Sequence, residues 1–248
     1  MPIPTGNADR EDQARKIFDY SHNHEGMMKN TNRPAAVLFD MDGLLFDSEA
    51  TLKLIWQREA AALGFDLHDS LYEGLVGVPN VLCEQKLMQW FKDFPLQEFR
   101  ARWRAAREVQ RQAREIPPKE GALELLTWIE GQGVPMALAT SSSREAVERN
   151  REAWPEMFRF AAVMTIEQVV RPKPDPDIYH RACACLGVRA ESCVVFEDSN
   201  PGMRAAIASG ARAVMIPDLV RPEDDVRAGA ARVYPSLAQA LRMREEWF

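Results

Sequence analysis

No run of about eighteen apolar residues occurs anywhere in the chain, so no segment is long enough to cross a bilayer as a helix. The first residues, MPIPTGNADREDQARK, contain no apolar stretch of the kind that directs secretion. Cysteine is scarce. The four cysteines, Cys83, Cys183, Cys185 and Cys193, form no C-x-x-C pair and have no metal-ligand spacing with the four histidines. Buried, reduced thiols in a cytoplasmic protein are therefore expected. Excess positive charge is also missing. A net charge of −6 argues against non-specific nucleic-acid binding, which depends on surplus Lys and Arg to neutralise phosphates. It does not argue against a small phosphorylated ligand, for which one local cationic pocket is enough.

What is present is an ordinary globular composition, 46% hydrophobic and 27% charged, over 248 residues. Residues 1–33 are polar and poor in branched aliphatics, and read as an N-terminal tail. At Pro34 the character changes. Ala35-Ala36-Val37-Leu38-Phe39 is a continuous apolar run that stops at Asp40, as a strand buried on both faces would. Similar runs recur at Met136–Ala139, Ala161–Met164, Cys193–Phe196 and Ala213–Ile216. Helix-length segments lie between them: Gly121–Glu130, Ser143–Arg151, Asp177–Leu186 and Pro201–Ser209. This alternation implies an α/β fold built on a doubly wound parallel sheet.

Residues 49–117 break the rhythm. They contain no convincing strand and read as helices Glu49–Leu63, Val81–Lys92 and Leu96–Glu115. So long a helical stretch between neighbouring strands is an inserted helical cap, with hinges near Ser48 and Pro117. The remainder, 34–48 and 118–248, is the α/β core.

Four motifs fall at the carboxyl ends of expected strands, where open α/β sheets bind ligands. Asp40-Met41-Asp42-Gly43 follows the first strand. Two carboxylates two residues apart can hold a hard cation, or divide the work of nucleophile and proton carrier. Thr140-Ser141-Ser142 follows the second strand; its hydroxyls and the next helix's N–H groups suit an anion, while Ser142 or Ser143 can cap that helix. In Arg171-Pro172-Lys173-Pro174-Asp175-Pro176, alternating prolines are expected to hold an extended loop that displays Lys173 as a fixed cation, with Asp177 capping the next helix. Glu197-Asp198-Ser199 places an acidic pair after the Cys193–Phe196 strand, again suited to a metal.

Together these motifs resemble the haloacid-dehalogenase-like superfamily, in its β-phosphoglucomutase-like and pseudouridine-phosphatase-like branch. The resemblance covers residues 35–217 and rests on FDMDGLL, ALATSS, KPDPDI and VFEDS. It implies that Asp40 attacks phosphorus and that Asp42 protonates the leaving oxygen and then activates water. It further implies that Thr140, Ser141 and Lys173 hold the phosphoryl oxygens. Mg²⁺ would sit on Asp40, the Asp42 backbone carbonyl and Asp198, with Glu197 close by. The implied activity is a Mg²⁺-dependent phosphatase acting on a small phosphorylated metabolite, as a monomer or weak dimer. The alternatives are a phosphosugar mutase and a non-catalytic binding protein on the same scaffold. Mutases of this branch carry a histidine twelve residues after the nucleophile, where this chain has Leu52, and cap cations flanking a Gly-Val pair, where it has Val76 and Asn80.

Arg100, Arg104, Arg107, Arg111 and Arg114 recur at helical spacing and read as a solvated stripe on a cap helix, partly paired with Glu108, with a polyanionic partner as the sharper alternative.

Overall fold

The structure is a computed structural model that describes residues 33–75, 80–113 and 116–248. The expected tail over 1–33 falls, but for its last residue, outside the described residues, as do Val76 and Arg114. Residues 34–248 form one compact unit.

The five expected strands are all present: β1 (Ala36–Phe39), β2 (Met136–Ala139), β3 (Ala162–Met164), β4 (Cys193–Glu197) and β5 (Arg212–Met215). A sixth, β6 (Arg232–Val233), extends the sheet at one edge. Both of its residues are exposed, so it has no apolar run to announce it. All pairs are parallel and the order is β3-β2-β1-β4-β5-β6, a doubly wound α/β sheet. The apolar runs have the reason expected of them: both faces of the sheet are covered. Val37, Phe39, Leu138, Val194, Phe196 and Val214 enter one buried cluster, and Ala36, Leu38, Ala137, Val195, Ala213 and Met215 enter the other. On the first face the Phe39 and Phe196 rings stack at 5.3 Å, and Trp247 meets Phe196 edge-on at 5.0 Å.

Between β1 and Pro117 the described residues form four helices: α1 (Ser48–Ala62), α2 (Asp69–Glu73), α3 (Asn80–Trp90) and α4 (Leu96–Gln112). They bury a core of their own, in which Trp56 contacts Phe99 edge-on at 5.3 Å and Trp103 at 5.6 Å. This is the helical cap. Its two connections to the sheet run side by side, with Asp47 N donating to Pro117 O (2.9 Å) and Lys119 N to Leu45 O (2.9 Å). The helices covering the sheet are α5 (Ala122–Gly131), α6 (Arg144–Ala153), α7 (Asp177–Leu186), α8 (Asn200–Ala208), α9 (Asp224–Gly229) and α10 (Leu237–Arg242). The short helices α2, α9 and α10, of five or six residues, were not apparent from the sequence. No helix among the described residues is long and apolar enough to cross a membrane.

The thiols divide by helix face. Cys83, Cys183 and Cys193 are buried thiols, whereas Cys185, two residues from Cys183 on α7, is exposed, which corrects the expectation that all four are buried.

Candidate active site

The strand order reverses across β1, whose neighbours are β2 and β4, and the acidic loops open at that point. Register sets the levels. Phe39 pairs with Leu138 on one side and Phe196 on the other, so Asp40 sits level with Ala139 and Glu197. Asp40 N still donates to Phe196 O (3.1 Å), which fixes its backbone to β4. Beyond it the chain folds tightly back: Leu45 N and Phe46 N both donate to Met41 O, at 3.0 and 3.2 Å. Gly43 makes that turn possible with φ of +86°, and a Cβ there would overlap the Asp198 carboxylate.

Lys173 is the hub of the site. Its Nζ donates to Asp40 Oδ1 (2.5 Å), Glu197 Oε1 (2.6 Å) and Ala139 O (3.0 Å), and its side chain is 6% exposed. Burial alone would weaken the ammonium. Asp40 and Glu197 outweigh it and raise the Lys173 pKa well above the ordinary range. The loop that delivers Lys173 is a turn rather than the extended segment expected: Asp175 N donates to Pro172 O (3.0 Å) and the Lys173–Pro174 peptide is cis. Asp175, not Asp177, supplies the capping carboxylate, accepting from Asp177 N (3.0 Å). Asp177 instead accepts from Val170 N (2.8 Å) and pairs with Arg181.

Glu197 was expected beside a metal, but both its oxygens are committed to protein donors. Oε1 takes Lys173 and the Tyr179 hydroxyl (2.6 Å), and Oε2 takes Asp198 N (3.1 Å), Ser199 N (3.3 Å) and Ser199 Oγ (3.2 Å). It is fully buried. Gly202 on α8 allows this, because a Cβ there would overlap the Glu197 carboxylate. The Asp42 side chain is likewise engaged, accepting from Ser142 Oγ (2.5 Å) and Arg107 Nη2 (3.3 Å). The reason is the same in both cases: a carboxylate surrounded by donors has few lone pairs left for a cation.

Asp198 is different. It is buried, and among the described residues its carboxylate accepts no hydrogen bond. Burial, and then the charges of Glu197, Asp40, Asp218 and Glu49, raise its pKa well above the ordinary range. Asp40 is pushed up to about 7, first by burial, then by Glu197 and Asp42, against the pull of Lys173. Among the described residues no group of three or more His, Cys, Asp or Glu side chains is arranged to hold a metal ion. Two buried carboxylates, one of them without a partner among the described residues, are a hard-oxygen set, and Asp40 and Asp198 fit a divalent cation in that sense.

Thr140 is buried, and its Oγ1 accepts from Ser142 N (3.0 Å), while its O–H has no acceptor among the described residues. Ser141 is exposed and makes no side-chain hydrogen bond among the described residues. Ser142 takes the role nearest the chemistry by holding Asp42, while Ser143 caps α6 by accepting from Ala146 N (3.2 Å).

Several site residues escaped sequence reasoning. Lys119, beside the second cap connection, bonds Asp218 Oδ1 (2.5 Å) and pairs with Asp47 (2.9 Å). Tyr179 supports Glu197 from α7. Arg107 was visible only as one member of the arginine stripe, which the structure divides. Arg100 grips Glu84 (2.8 and 2.5 Å), Arg104 lies over the Trp103 ring, and Arg107 reaches the core. Glu108 meets Arg149 of α6 at 3.2 Å.

Glu49, at the start of α1, is pushed up to about 7 from an ordinary 4.5, first by burial and then by Asp42, against Arg107 and Lys119. The folded protein holds this proton to higher pH than the unfolded chain. Stability is therefore lost as pH rises from about 4.5 through about 7, by up to about 3 kcal/mol. Glu49→Gln removes the titration. In metal-free buffer its stability advantage over the unaltered chain is expected to grow between pH 5 and pH 8, as read by urea denaturation. A constant difference across that range would show that Glu49, which is half-buried, does not titrate there.

Comparison with known proteins agrees with this architecture. The family model of the haloacid dehalogenase-like hydrolases matches residues 37–216, and the chain belongs to that family of enzymes. A phosphorylated carbohydrates phosphatase of Thermotoga maritima is 36% identical over 179 residues, 71% of this chain and 81% of its own. A validoxylamine A 7′-phosphate phosphatase of Streptomyces hygroscopicus subsp. limoneus is 29% identical over 70% of this chain and 81% of its own. Among solved structures, a HAD family hydrolase from Deinococcus radiodurans R1 with bound phosphate and sodium is similar at a TM-score of 0.70. It is 29% identical, and the match covers 87% of this chain and 97% of that one.

Proposed function

We propose that this chain is a Mg²⁺-dependent phosphatase that hydrolyses a phosphosugar or similar phosphomonoester through an aspartyl phosphate on Asp40. One observation carries the reading. A buried carboxylate at the end of the central strand is held at 2.5 Å by a buried ammonium, next to a second buried carboxylate with no partner among the described residues. Phosphoryl transfer needs a nucleophile in line, and neutralisation of the charge on the transferred oxygens more than covalent elaboration. The activities of the two phosphatases, and the phosphate in the Deinococcus structure, support the same chemistry.

The steps follow from the side chains. Lys173 aims Asp40 and offers its charge to the incoming phosphoryl group. An Asp40 oxygen attacks phosphorus, the bond to the leaving oxygen breaks, and Asp42 delivers a proton to that oxygen. Asp42, now a carboxylate, takes a proton from water as the water oxygen attacks phosphorus. The Asp40–phosphorus bond breaks and phosphate leaves. Thr140 donates its O–H to a phosphoryl oxygen. Asp40, Asp198 and the Asp42 carbonyl would hold Mg²⁺, which when bound supplies positive charge to the phosphoryl oxygens. Glu197 acts through Lys173, fixing the ammonium from its far side. The division is a core of 34–48 and 118–248 with a cap of 49–117, and the reaction takes place between them.

Phosphate release over hexose and pentose monophosphates, nucleotides and phospho-acids, with and without Mg²⁺, is the experiment. Release that needs both the metal and a sugar-like phosphate is expected. β-Glucose 1-phosphate primed with glucose 1,6-bisphosphate should give free phosphate at least as fast as glucose 6-phosphate. The opposite order would make the chain a mutase. Leu52, partly buried on α1, has no proton to exchange there.

A further inference from the structure

The Asp42 carboxylate shows where the leaving group lies. Its Oδ2 is bound by Ser142 at 2.5 Å, while its Oδ1 has only the longer contact with Arg107 at 3.3 Å among the described residues. On the phosphatase reading, from which this inference starts, Asp42 must turn one oxygen to the leaving oxygen, and Oδ1 is the one less firmly held. Arg107 therefore lies beside the leaving group, not beside the transferred phosphate, whose cation is Lys173.

Arg107 is only partly used by the protein. Among the described residues its Nε is buried without a hydrogen-bond partner, and so is Gln110 Oε1, one helical turn further along α4. Trp103, Arg107 and Gln110, at i, i+4 and i+7, share one face of that helix. Trp103 is buried in the cap core and Arg107 reaches Asp42, so this face is turned inward. Buried polar atoms without partners are rare in folded proteins, and they call for an occupant. The two orphans are complementary: one N–H donor and one carbonyl acceptor. A hydroxyl group, being both donor and acceptor, satisfies either. A carboxylate or second phosphate would satisfy Arg107 but has no proton for Gln110.

We propose that Arg107 and Gln110 are specificity-determining residues that read neutral hydroxyl groups of the leaving group, so that the preferred substrates are monophosphates of polyhydroxylated, otherwise uncharged molecules. Arg107 exchanges its contact with Asp42 for one with the substrate as Asp42 engages the leaving oxygen. The arginine stripe is thus not a docking surface for a polyanion at this position.

The test uses the full chain with Mg²⁺ on hexose and pentose monophosphates, fructose 1,6-bisphosphate, phosphoglycolate and p-nitrophenyl phosphate, the last having no hydroxyls to read. The unaltered chain is expected to favour a sugar monophosphate at least about tenfold in kcat/KM over the bisphosphate and phosphoglycolate. In Gln110→Leu and in Arg107→Lys, kcat/KM on that sugar phosphate should fall at least about tenfold relative to p-nitrophenyl phosphate, chiefly through KM. Preference for the bisphosphate or phosphoglycolate overturns the proposal. So does an equal loss on every substrate in both variants, which marks a structural role. No phosphate release from any substrate, p-nitrophenyl phosphate included, instead defeats the phosphatase reading itself.

Discussion

Asp40→Asn is expected to lower turnover by more than about a thousandfold while leaving the protein at least as stable as before. The amide keeps the shape of the carboxylate but cannot form the covalent phosphoryl intermediate. Stability should hold because the site carries excess negative charge. Asp40, Asp42, Glu49, Glu197, Asp198 and Asp218 face Lys173, Lys119 and Arg107, and burial has already pushed Asp40 up to about 7. Removing one acid relieves Asp198, whose own pKa is raised in part by Asp40. Steady-state phosphate release and urea denaturation on the same preparation separate the two effects. A variant with more than about a thousandth of the original rate would take the covalent role from Asp40. One that unfolds early would show that the carboxylate is needed for the fold.

Lys173→Met has the opposite signature, with losses in both activity and stability. The ammonium sits between two carboxylates at 2.5 and 2.6 Å, one of them fully buried. Breaking such a buried arrangement by removing one partner leaves uncompensated charge, at a cost of about 3–5 kcal/mol. Activity should fall by at least the factor expected for Asp40→Asn, since the nucleophile loses its aim and the phosphate its cation. A second substitution, Lys173→Met with Glu197→Gln, should recover part of the stability and none of the activity. Equal stability of the single and double variants would mean that Glu197 does not act through Lys173.

The fold was legible to within a residue or two at most of its main elements, because each signal was local. Strands covered on both faces need apolar side chains at every position, so β1 and β4 stood out as short runs ending at acids. The helix C-terminus before Gly64 and the Pro117-Pro118 boundary are likewise local chemistry. What failed also failed locally: β6 is a two-residue edge strand with both side chains exposed, and α2 is a single turn and a half. Of the site, Asp40, Asp42, Thr140, Lys173 and Asp198 lie where the motifs put them, at the ends of β1, β2 and β4 and on the turn before α7. Glu197 is surrounded by protein donors and Ser141 is exposed. Their neighbours within the chain gave no hint of it.

The sequence by itself determined which loops would carry the chemistry, since strand order, helix spacing and motif composition are written in short stretches. Which atom does what was decided by contacts between residues far apart in the chain. Lys173 and Asp40 are 133 positions apart, Ser142 and Asp42 100, and Arg107 and Asp42 65. No pattern in the sequence encodes a donor–acceptor distance across such gaps. That distance follows from how the sheet, the cap and the covering helices pack. Packing alone made Glu197 a support for Lys173, set Ser142 against Asp42, and brought one arginine of a stripe expected to face solvent to the acid at the centre of the site.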